Sequence, residues 1–569
     1  MASGSGSSAS FRQSLLGKRF IYGAEVVTSR GYPSDQPPSH LAMAKQLLAD
    51  PRIGWISITD SPGGAPMLPP DWLASQLPGD RERIVIHLTC KDLNRNGLES
   101  AAWRLAADGC RNVLALTGDY PTTGFGGRAE GVFDIDSVGL IALLRSMNDG
   151  MTVAGRGGRP ETLPRTDFFI GCAVSPFKRR ESELMPQYFK LLRKIAAGAR
   201  WVIPQLGYDM RKFNEVRLLL AARGLDVPVI GNVYLLNRAV ARLFNSGKLA
   251  GCVVSDELLS LCEKYAAGAD KGKQFFLELA AKQLAVFKGL GFAAGYLGGI
   301  AKAEVFGQVI DMAEAFGPND WHDFLKEIRF SQPDEFFLFD HDPATGLADS
   351  SRFNPDYLAS IRRPQGRRPI GYRVSRWFHR WMFTRDRGLW RWLQRFYAKR
   401  DGKGSLLAGV ARAVERGSKH LLYGCEDCGD CSLPDCAYLC PRYSCSKCGR
   451  NGPCGGSLDA RCELGDKQCF WTRVYERLKS YGETEQMLDG PITFYNAELK
   501  HTSAWANTFL GRDHHGREPP AAADASKADS SAPRPAGPLG KKPAQDLAEG
   551  ENAANDKSDN APKDDAGQL

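Results

Sequence analysis

The sequence predicts an α/β protein: a (β/α)8 TIM barrel, then a helical connector, then a small cysteine-rich metal-binding module. The first observation is that eight short β-rich runs alternate with helical patterns over residues 15–320. The second is a basic, aromatic stretch within residues 321–420, and the third is a cluster of cysteines within residues 421–490. Barrels of this kind typically have roughly 250 residues, a length that the first segment provides.

The eight predicted strands are short runs of β-branched, aromatic and other apolar residues. They lie at residues 20–27, 55–60, 83–90, 112–119, 167–174, 201–206, 228–236 and 291–299. Between them, for example at 98–110 and 184–199, apolar residues recur at the three- and four-residue steps of a helix. An open doubly wound sheet is the alternative, but it favours a GxGxxG turn after the first strand, and residues 24–31 read AEVVTSRG.

The composition is that of a globular protein, with 43% apolar and 24% charged residues in a chain of 569. The longest apolar run, residues 289–301, is shorter than the about 20 residues of a membrane-spanning helix. Residues 1–14 lack the features of a secretion signal and are expected to be a disordered leader. Residues 510–569 are expected to be a disordered tail. We expect a cytoplasmic location, where cysteines stay reduced and can bind metals.

The net charge of +9 is concentrated in one segment. Residues 361–400 hold thirteen Arg and Lys residues, one acidic residue and nine aromatic residues, so the rest of the chain sums to −3. One interpretation is a helix on an anionic membrane or a dock for an acidic partner. The favoured interpretation is a pair of helices that pack their apolar faces onto the barrel. Nucleic-acid binding is not expected, because no recognised nucleic-acid-binding fold accompanies the charge.

The apolar faces of those two helices are read from residues at helical spacing. They are Val374, Trp377, Phe378 and Trp381 in the first helix and Leu389, Trp392, Leu393 and Phe396 in the second.

Polar side chains follow several strands of the predicted barrel. They are Glu25, Thr59, Asp60, His87, Asp119 and Gln205. The carboxyl ends of all eight strands meet at one rim, which is where barrel enzymes place their catalytic groups. Two carboxylates in one cavity suit acid–base chemistry, because their surroundings can separate their pKa values.

The same segments resemble methylenetetrahydrofolate reductase over about residues 18–320. The matching motifs are AEVV (24–27), SITDSPGG (57–64), IHLTCKD (86–92), LALTGD (114–119) and KIAAGARWVIPQLGYD (194–209). The resemblance implies a flavoprotein that passes hydride from NAD(P)H through flavin N5 to 5,10-methylenetetrahydrofolate, giving 5-methyltetrahydrofolate. It implies FAD as the cofactor, with FMN as the alternative.

The resemblance also assigns roles to residues at the rim. Glu25 matches the general acid, which predicts that it is partly buried with a raised pKa. Asp119 matches an aspartate that lies near both flavin and folate, and Gln205 matches a pterin-binding glutamine. Lys194 matches a lysine near the cofactor phosphates. The remaining positions expected to contact the flavin are Thr59, Asp60, His87, Thr117 and Gly118.

Two departures from the family pattern concern the cofactors. After the fifth strand this chain reads AVSP (173–176) where an aromatic-bearing AAYP is common. Whether the flavin carries the adenosine part of FAD therefore stays open. After the seventh strand it reads Asn237-Arg238 in place of an Asn-Phe pair. That phenylalanine helps to stack the nicotinamide, so the hydride donor is also open.

The cysteine module contains ten of the fifteen cysteines. They are Cys425, Cys428, Cys431, Cys436, Cys440, Cys445, Cys448, Cys454, Cys462 and Cys469. The first three with Cys440 resemble an interrupted ferredoxin-type run. The pair 425/428 with the pair 445/448 instead fits a zinc-ribbon spacing. A [4Fe-4S] cluster is slightly favoured over zinc, because ten thiols exceed one site.

Residues 420–490 resemble the cysteine-rich domain fused to some bacterial methylenetetrahydrofolate reductases and found in the partner subunit of the acetogens' enzyme. The most specific motif is NGPCGG (451–456). The resemblance implies an electron route into the barrel from a ferredoxin-like partner; a purely structural zinc module is an equal alternative. The remaining cysteines are expected to be ordinary buried residues: Cys90, Cys110, Cys172, Cys252 and Cys262.

The leading hypothesis is therefore a methylenetetrahydrofolate reductase of one-carbon and methionine metabolism, expected to form a homo-oligomer. Two alternatives remain. The chain is a non-catalytic folate- or flavin-binding subunit of an electron-transfer complex, or it runs the same reaction oxidatively in methyl-group catabolism.

Overall fold

The structure, a computed structural model, describes residues 9–516 except 18, 33–37, 250, 365, 367, 386 and 403. Eight parallel strands form one sheet in the order β6-β5-β4-β3-β2-β1-β8-β7, and a parallel bridge from Val202 to Val229 joins its two ends. The strands are β1 Ile21–Val26, β2 Ile53–Ile58, β3 Ile84–Thr89, β4 Asn112–Leu116, β5 Phe169–Val174, β6 Trp201–Pro204, β7 Ile230–Tyr234 and β8 Ala294–Gly298. The predicted barrel is confirmed.

The helices of the barrel surround this sheet and precede or follow its strands. They are α1 Phe11–Leu16, α2 Ser39–Ala49, α3 Pro70–Ser75, α4 Arg95–Ala107, α5 Ser137–Asp149, α6 Glu181–Ala197, α7 Met210–Ala222, α8 Arg238–Asn245, α9 Asp256–Ala266, α10 Lys273–Gly289 and α11 Ala303–Ala315. The helices of the connector and module are α12 Trp321–Glu327, α13 Pro355–Arg362, α14 Ile370–Met382, α15 Gly388–Arg400, α16 Leu406–Tyr423, α17 Pro441–Ser444, α18 Phe470–Lys479 and α19 Ala504–Phe509.

The barrel interior is filled by pairing large residues with glycines on neighbouring strands. A Cβ added to Gly23 would lie 2.1 Å from the ring of Trp55, and one added to Gly171 would lie 2.1 Å from the ring of Trp201. Only glycine therefore leaves room for these two indoles.

Helix α1 closes the barrel end opposite the carboxyl rim. Phe11 is fully buried, with its ring centroid 4.8 Å from that of Trp55 and 5.4 Å from that of Trp201. The predicted disordered leader, residues 1–14, was thus wrong for residues 11–14, because an apolar plug removes Phe11 from water. Residues 1–8 lie outside the described residues.

The connector differs from the favoured prediction. It begins with a two-stranded ribbon, Phe339–His341 against Ala348–Phe353, and continues with helices. In α14 the side chains of Val374, Trp377 and Trp381 are exposed and do not pack onto the barrel. Trp390 and Tyr397 of α15 pack against Phe509 of α19, and Tyr372 of α14 is buried against Tyr481 of the module.

The cysteine module packs along the outer face of α6 and shares its apolar core with the barrel. Arg193 donates to the carbonyls of Asp489 and Pro491, and Tyr475 donates to Glu181 at 2.5 Å. The module is therefore held against the barrel by both apolar and polar contacts.

The predicted disordered tail, residues 510–569, begins too early. Residues 510–516 are folded against the module, and Asp513 and His514 are buried. Residues 517–569 lie outside the described residues. Among the helices of the described part of the chain, none combines the length and apolarity needed to cross a bilayer.

Candidate active site at the barrel rim

Glu25 lies at the end of β1 and is partly buried, as predicted. Its Oε2 accepts the backbone N–H of Gly299 at 3.3 Å, and its carboxylate also accepts the hydroxyl of Tyr296. Loss of hydration raises the pKa of Glu25, and these two donors offset part of that effect. Gly298 allows the close approach, because a Cβ there would lie 2.6 Å from Oε2.

Asp119 and Asp60 occupy different surroundings. Asp119, in the exposed loop after β4, accepts the N–H of Gly63 at 2.8 Å and ties that loop to the one after β2. Asp60 accepts both the N–H and the hydroxyl of Thr89, at 3.0 and 2.6 Å. Asp60 therefore braces β3, whereas Asp119 remains at the surface of the rim.

Three neutral groups line the ends of β2, β3 and β4. Burial lowers the pKa of His87 to about 4, so its imidazole is neutral at pH 7. Thr59 is buried, and its hydroxyl has no hydrogen-bond partner among the described residues. The Thr117 hydroxyl donates to Ser137 at the start of α5.

Gln205 and Lys194 lie on the β5–β6 side of the barrel. Gln205 follows β6, and its Oε1 accepts the N–H of Leu206 at 3.0 Å. Lys194 donates to the carbonyl of Ala173 at 2.6 Å, and burial lowers the pKa of Lys194 to about 8. Lys194 is thus engaged within the wall between α6 and β5, and its predicted role near phosphates stays a prediction.

Sequence reasoning missed three residues that surround Glu25. Ser57 on β2 and Tyr296 on β8 share a buried hydrogen bond of 2.5 Å between their hydroxyl oxygens. Tyr234 is the last residue of β7. The pKa of the Tyr234 phenol is raised mainly by desolvation and further by the nearby Glu25 carboxylate. The alternation of side chains along a strand could have predicted that Ser57 and Tyr296 face inward. It could not have predicted that they lie beside Glu25.

The Arg238 departure noted in the sequence is explained by a local ion pair. Asn237 caps α8 by accepting the N–H of Val240 at 3.0 Å. Arg238 lies in the first turn of that helix and donates to Glu263 of α9 at 2.6 Å. The side chain of Arg238 is therefore paired with a carboxylate of the neighbouring helix.

The cysteine module reaches the rim through two buried lysines. Lys447 donates to the carbonyl of Gly118 at 2.9 Å and forms an ion pair with Glu463. Lys178, after β5, donates to the carbonyl of Gly455 at 2.6 Å. The module is therefore attached directly beside Asp119 and the end of β5.

The NGPCGG loop of the module packs against the altered fifth-strand loop. Gly455 lies over Ser175: a Cβ added to Gly455 would lie 3.6 Å from the Cβ of Ser175. Gly251 lies beside both residues. A Cβ added to Gly251 would lie 3.6 Å from the carbonyl oxygen of Gly455, 3.8 Å from Ser175 Oγ and 3.4 Å from Gln205 Nε2. A tyrosine at position 175 would collide with this loop, which accounts for the small residue.

Eight of the ten module cysteines fall into two neighbourhoods of mutually close thiols, and Cys436 and Cys448 lie between them. The first contains Cys425, Cys428, Cys431 and Cys440. Lys419 lies 3.8 Å from the sulfur of Cys431 and partly offsets the rise in the thiol pKa, to about 12, that burial causes. These are the four cysteines of the interrupted ferredoxin-type run, whose role as metal ligands stays a prediction.

The second neighbourhood contains Cys445, Cys454, Cys462 and Cys469. These four thiols line a narrow cavity together with Thr117 of the barrel rim. Cys445 thus lies near both Cys448 and the later Cys454, and the choice between zinc and cluster ligands stays a prediction. The five barrel cysteines are free and buried, as predicted.

The rim and the module fit the groups that the resemblance implies. A buried hydroxyl without a partner, a neutral imidazole and a polar strand-end loop are suited to the hydrogen-bonding edge of a heteroaromatic cofactor. Two sets of four thiols, each with a lysine nearby, are suited to soft metal centres.

The fold and the rim define a (β/α)8-barrel protein with a cysteine-rich module beside the carboxyl ends of its strands. Residues 11–289 match the family model described as methylenetetrahydrofolate reductase, and residues 408–496 match the one described as methylene-tetrahydrofolate reductase C terminal. The chain belongs to the methylenetetrahydrofolate reductase family, a family of oxidoreductases, and the resemblance seen in the sequence is confirmed.

The relatives match only part of the chain. Methylenetetrahydrofolate reductase 2 of Saccharomyces cerevisiae is 29% identical over 149 residues, 26% of this chain and 22% of that protein. The 5,10-methylenetetrahydrofolate reductase of Pectobacterium carotovorum subsp. carotovorum is 29% identical over 26% of this chain and 42% of that protein. That of Salmonella typhimurium is 27% identical over 28% and 47%. The chain thus spans less than half the length of these relatives.

Proposed function

We propose that this protein reduces 5,10-methylenetetrahydrofolate to 5-methyltetrahydrofolate with a flavin bound at the barrel rim. The carrying observation is Glu25, a partly buried carboxyl with a raised pKa at the end of β1. A carboxyl must hold its proton near neutral pH to act as a general acid. Family membership and the three reductase relatives support the same reaction.

Each residue at the rim has a distinct task in this proposal. A bound flavin supplies hydride transfer to the methylene carbon. Glu25 donates its proton to a nitrogen of the folate's five-membered ring, so that the ring opens and the methylene carbon becomes electrophilic. Asp119 and Gln205 orient the pterin through hydrogen bonds. The neutral groups Thr59 and His87 bind polar edges of the cofactor without adding charge.

The test separates the two half-reactions. Glu25→Gln keeps the size and the hydrogen bond to Gly299 but removes the acid. Flavin reduction by the electron donor should persist, whereas flavin reoxidation by methylenetetrahydrofolate should fall by about 10²–10⁴-fold, the usual contribution of a general acid. Glu257→Gln, at an exposed position of α9, is the matched control.

Loss of both half-reactions in Glu25→Gln would contradict the assigned role. Flavin extracted from the same preparations distinguishes FAD from FMN. If the wild-type chain binds folate but does not turn over without a partner, the alternative of an electron-transfer subunit is favoured. Rates measured in both directions test the alternative of an oxidative reaction.

We further propose that the module carries iron–sulfur centres that relay electrons to the rim. The second thiol set lines the same cavity as Thr117, one residue before the Gly118 carbonyl that Lys447 binds. Four thiols around one cavity beside the barrel rim support a thiolate-bound centre at the end of this electron route.

An acidic, ferredoxin-like protein is the proposed electron donor, with NAD(P)H as the alternative. Exposed apolar side chains of α14 and α16, including Trp377, Val414 and Leu422, line a cavity of about 510 Å³ that also reaches Cys431. Arginines accompany them along residues 361–400. A basic and apolar surface beside a thiol set suits a partner that carries negative charge.

The experiment is an ultraviolet–visible spectrum with iron, sulfide and zinc analysis of anaerobically purified protein. Iron, sulfide and a broad absorption near about 400 nm, as expected of thiolate-bound clusters, would support the relay. Cys425→Ser and Cys469→Ser each disturb one thiol set, so each serves as the other's control. Zinc without iron would make the module structural.

A further inference from the structure

We infer that Asp435, His514 and His515 form a binding site for a divalent transition-metal ion such as Zn²⁺, separate from the cysteine sets. One carboxylate oxygen and one nitrogen from each histidine lie within 4.8 Å of one another. This inference does not rest on the proposed reaction. The two histidines follow residue 496, where the match to the C-terminal family model ends.

The two histidines present equivalent atoms to the same carboxylate. His514 Nε2 lies 3.1 Å from Asp435 Oδ2, and His515 Nε2 lies 2.8 Å from Asp435 Oδ1. Ligands about 2.0–2.1 Å from a tetrahedral zinc ion are separated by about 3.3 Å. The three groups therefore need only small shifts to surround an ion.

A second carboxylate stands behind each histidine. His514 Nδ1 lies 2.6 Å from Asp430 Oδ1, and His515 Nδ1 lies 3.8 Å from Asp513 Oδ2. A metal-bound histidine commonly donates its other N–H to a carboxylate, which orients the ring and strengthens the ligand. Asp430 and Asp513 are both buried and placed for this task.

The hydrogen bonds of His514 require a positive species between its ring and Asp435. If Asp430 holds the proton on His514 Nδ1, the Nε2 atom of a neutral ring is an acceptor that faces a carboxylate oxygen. Two acceptors at 3.1 Å require a positive species between them: a second proton on the ring or a metal ion. At His515 the Nε2–H of a neutral ring can itself donate to Asp435 Oδ1 at 2.8 Å, and a bound ion would replace that proton.

The surroundings allow an ion to enter. His514 borders a cleft of about 1020 Å³ between the barrel and the module, whereas His515 borders the separate 510 Å³ cavity beneath α14. The ligands come from two distant parts of the chain, residue 435 in the module and residues 514–515 after α19. A bound ion would therefore clamp the segment after α19 onto the cysteine module.

The test measures metal content and zinc response in the full-length protein. Wild type should hold one equivalent more zinc than His515→Gln and Asp435→Asn, while iron and sulfide stay the same in all three. Both substitutions keep hydrogen-bonding capacity, so they are expected to fold. His322→Ala, in helix α12, is the control and should retain the equivalent.

Added Zn²⁺ provides a second readout that does not depend on activity. It should raise the thermal midpoint of wild type and of His322→Ala, and leave those of the two site variants unchanged. Equal zinc content in all variants together with the absence of a differential thermal shift would overturn the inference. It would identify the cluster as a purely hydrogen-bonded network of protonated histidines. Neither result bears on folate reduction, so the two proposals fail independently.

Discussion

At the scale of residues, the surroundings of Glu25 determine when it can act as an acid. Burial raises its pKa, whereas the Tyr296 hydroxyl and the Gly299 N–H, which stabilise the ionised form, lower it. The protonated form is the active one. The rate of flavin reoxidation by methylenetetrahydrofolate should therefore be level at low pH and fall as pH rises through the Glu25 pKa.

Tyr296→Phe should move that fall to higher pH. The substitution removes a donor to the Glu25 carboxylate, so the neutral acid is favoured over a wider range. Stopped-flow rates of reoxidation against pH measure the shift, and Tyr265→Phe on α9 is a matched control. An unchanged profile would mean that Tyr296 does not set the acidity of Glu25. Because His87 has a pKa of about 4, it should add no break near neutrality.

At the scale of elements, α14 and α15 show how amphipathic spacing can mislead. Trp377 on α14 is 66% exposed, whereas Trp390 on α15 is 9% exposed and packs against Phe509. Trp390→Ala should lower the free energy of unfolding by about 3–5 kcal/mol, the usual cost of removing a buried tryptophan. Trp377→Ala should change it by about 0.5 kcal/mol or less. Urea unfolding of both variants measures the difference, and equal losses would refute this packing.

Lys447 joins the module to the end of β4. Lys447→Met leaves the half-buried Glu463 without its partner and removes the bond to Gly118, so we expect a loss of about 2–4 kcal/mol, somewhat less than for a fully buried pair. Hydrogen exchange at residues 117–119 should increase with it. The double variant Lys447→Met/Glu463→Gln should recover part of the loss, because no buried charge is then unpaired. Unchanged exchange at residues 117–119 in the single variant would show that this lysine does not hold the two parts together.

At the scale of the whole molecule, charge is distributed unequally between the barrel and the connector. Residues 361–400 carry a large positive excess, whereas the rest of the chain is slightly negative. If an acidic protein delivers electrons here, the association rate should fall as ionic strength rises toward and beyond 0.15 M, where the screening length is about 8 Å. The rate at which a small neutral reductant reduces the protein should not change with ionic strength. Equal salt dependence for both donors would exclude electrostatic docking at this surface.

Much of the fold could be predicted from local pattern. Eight apolar runs and the helical spacing between them sufficed for the barrel, because strand and helix periodicities are short-range properties. Strand order then placed Glu25, His87 and Asp119 at one rim, since parallel strands end on the same side. The density of cysteines within residues 425–469 by itself indicates metal chemistry.

Other features depended on residues far apart in the chain. Tyr296 reaches Glu25 only because β8 pairs with β1, and Lys447 reaches Gly118 across more than three hundred residues. The division of the thiols into two sets follows from the path of the chain between them and not from their spacing. The exposure of Trp377 likewise depends on what the neighbouring helices cover.

The sequence by itself therefore determined the barrel, its polar rim and the presence of a thiol-rich module. Only the tertiary structure decided that the module docks beside that rim and that Asp435 meets His514 and His515. The physical reason is that periodicity reports which face of an element is apolar. Which surface that face meets depends on packing over the whole chain.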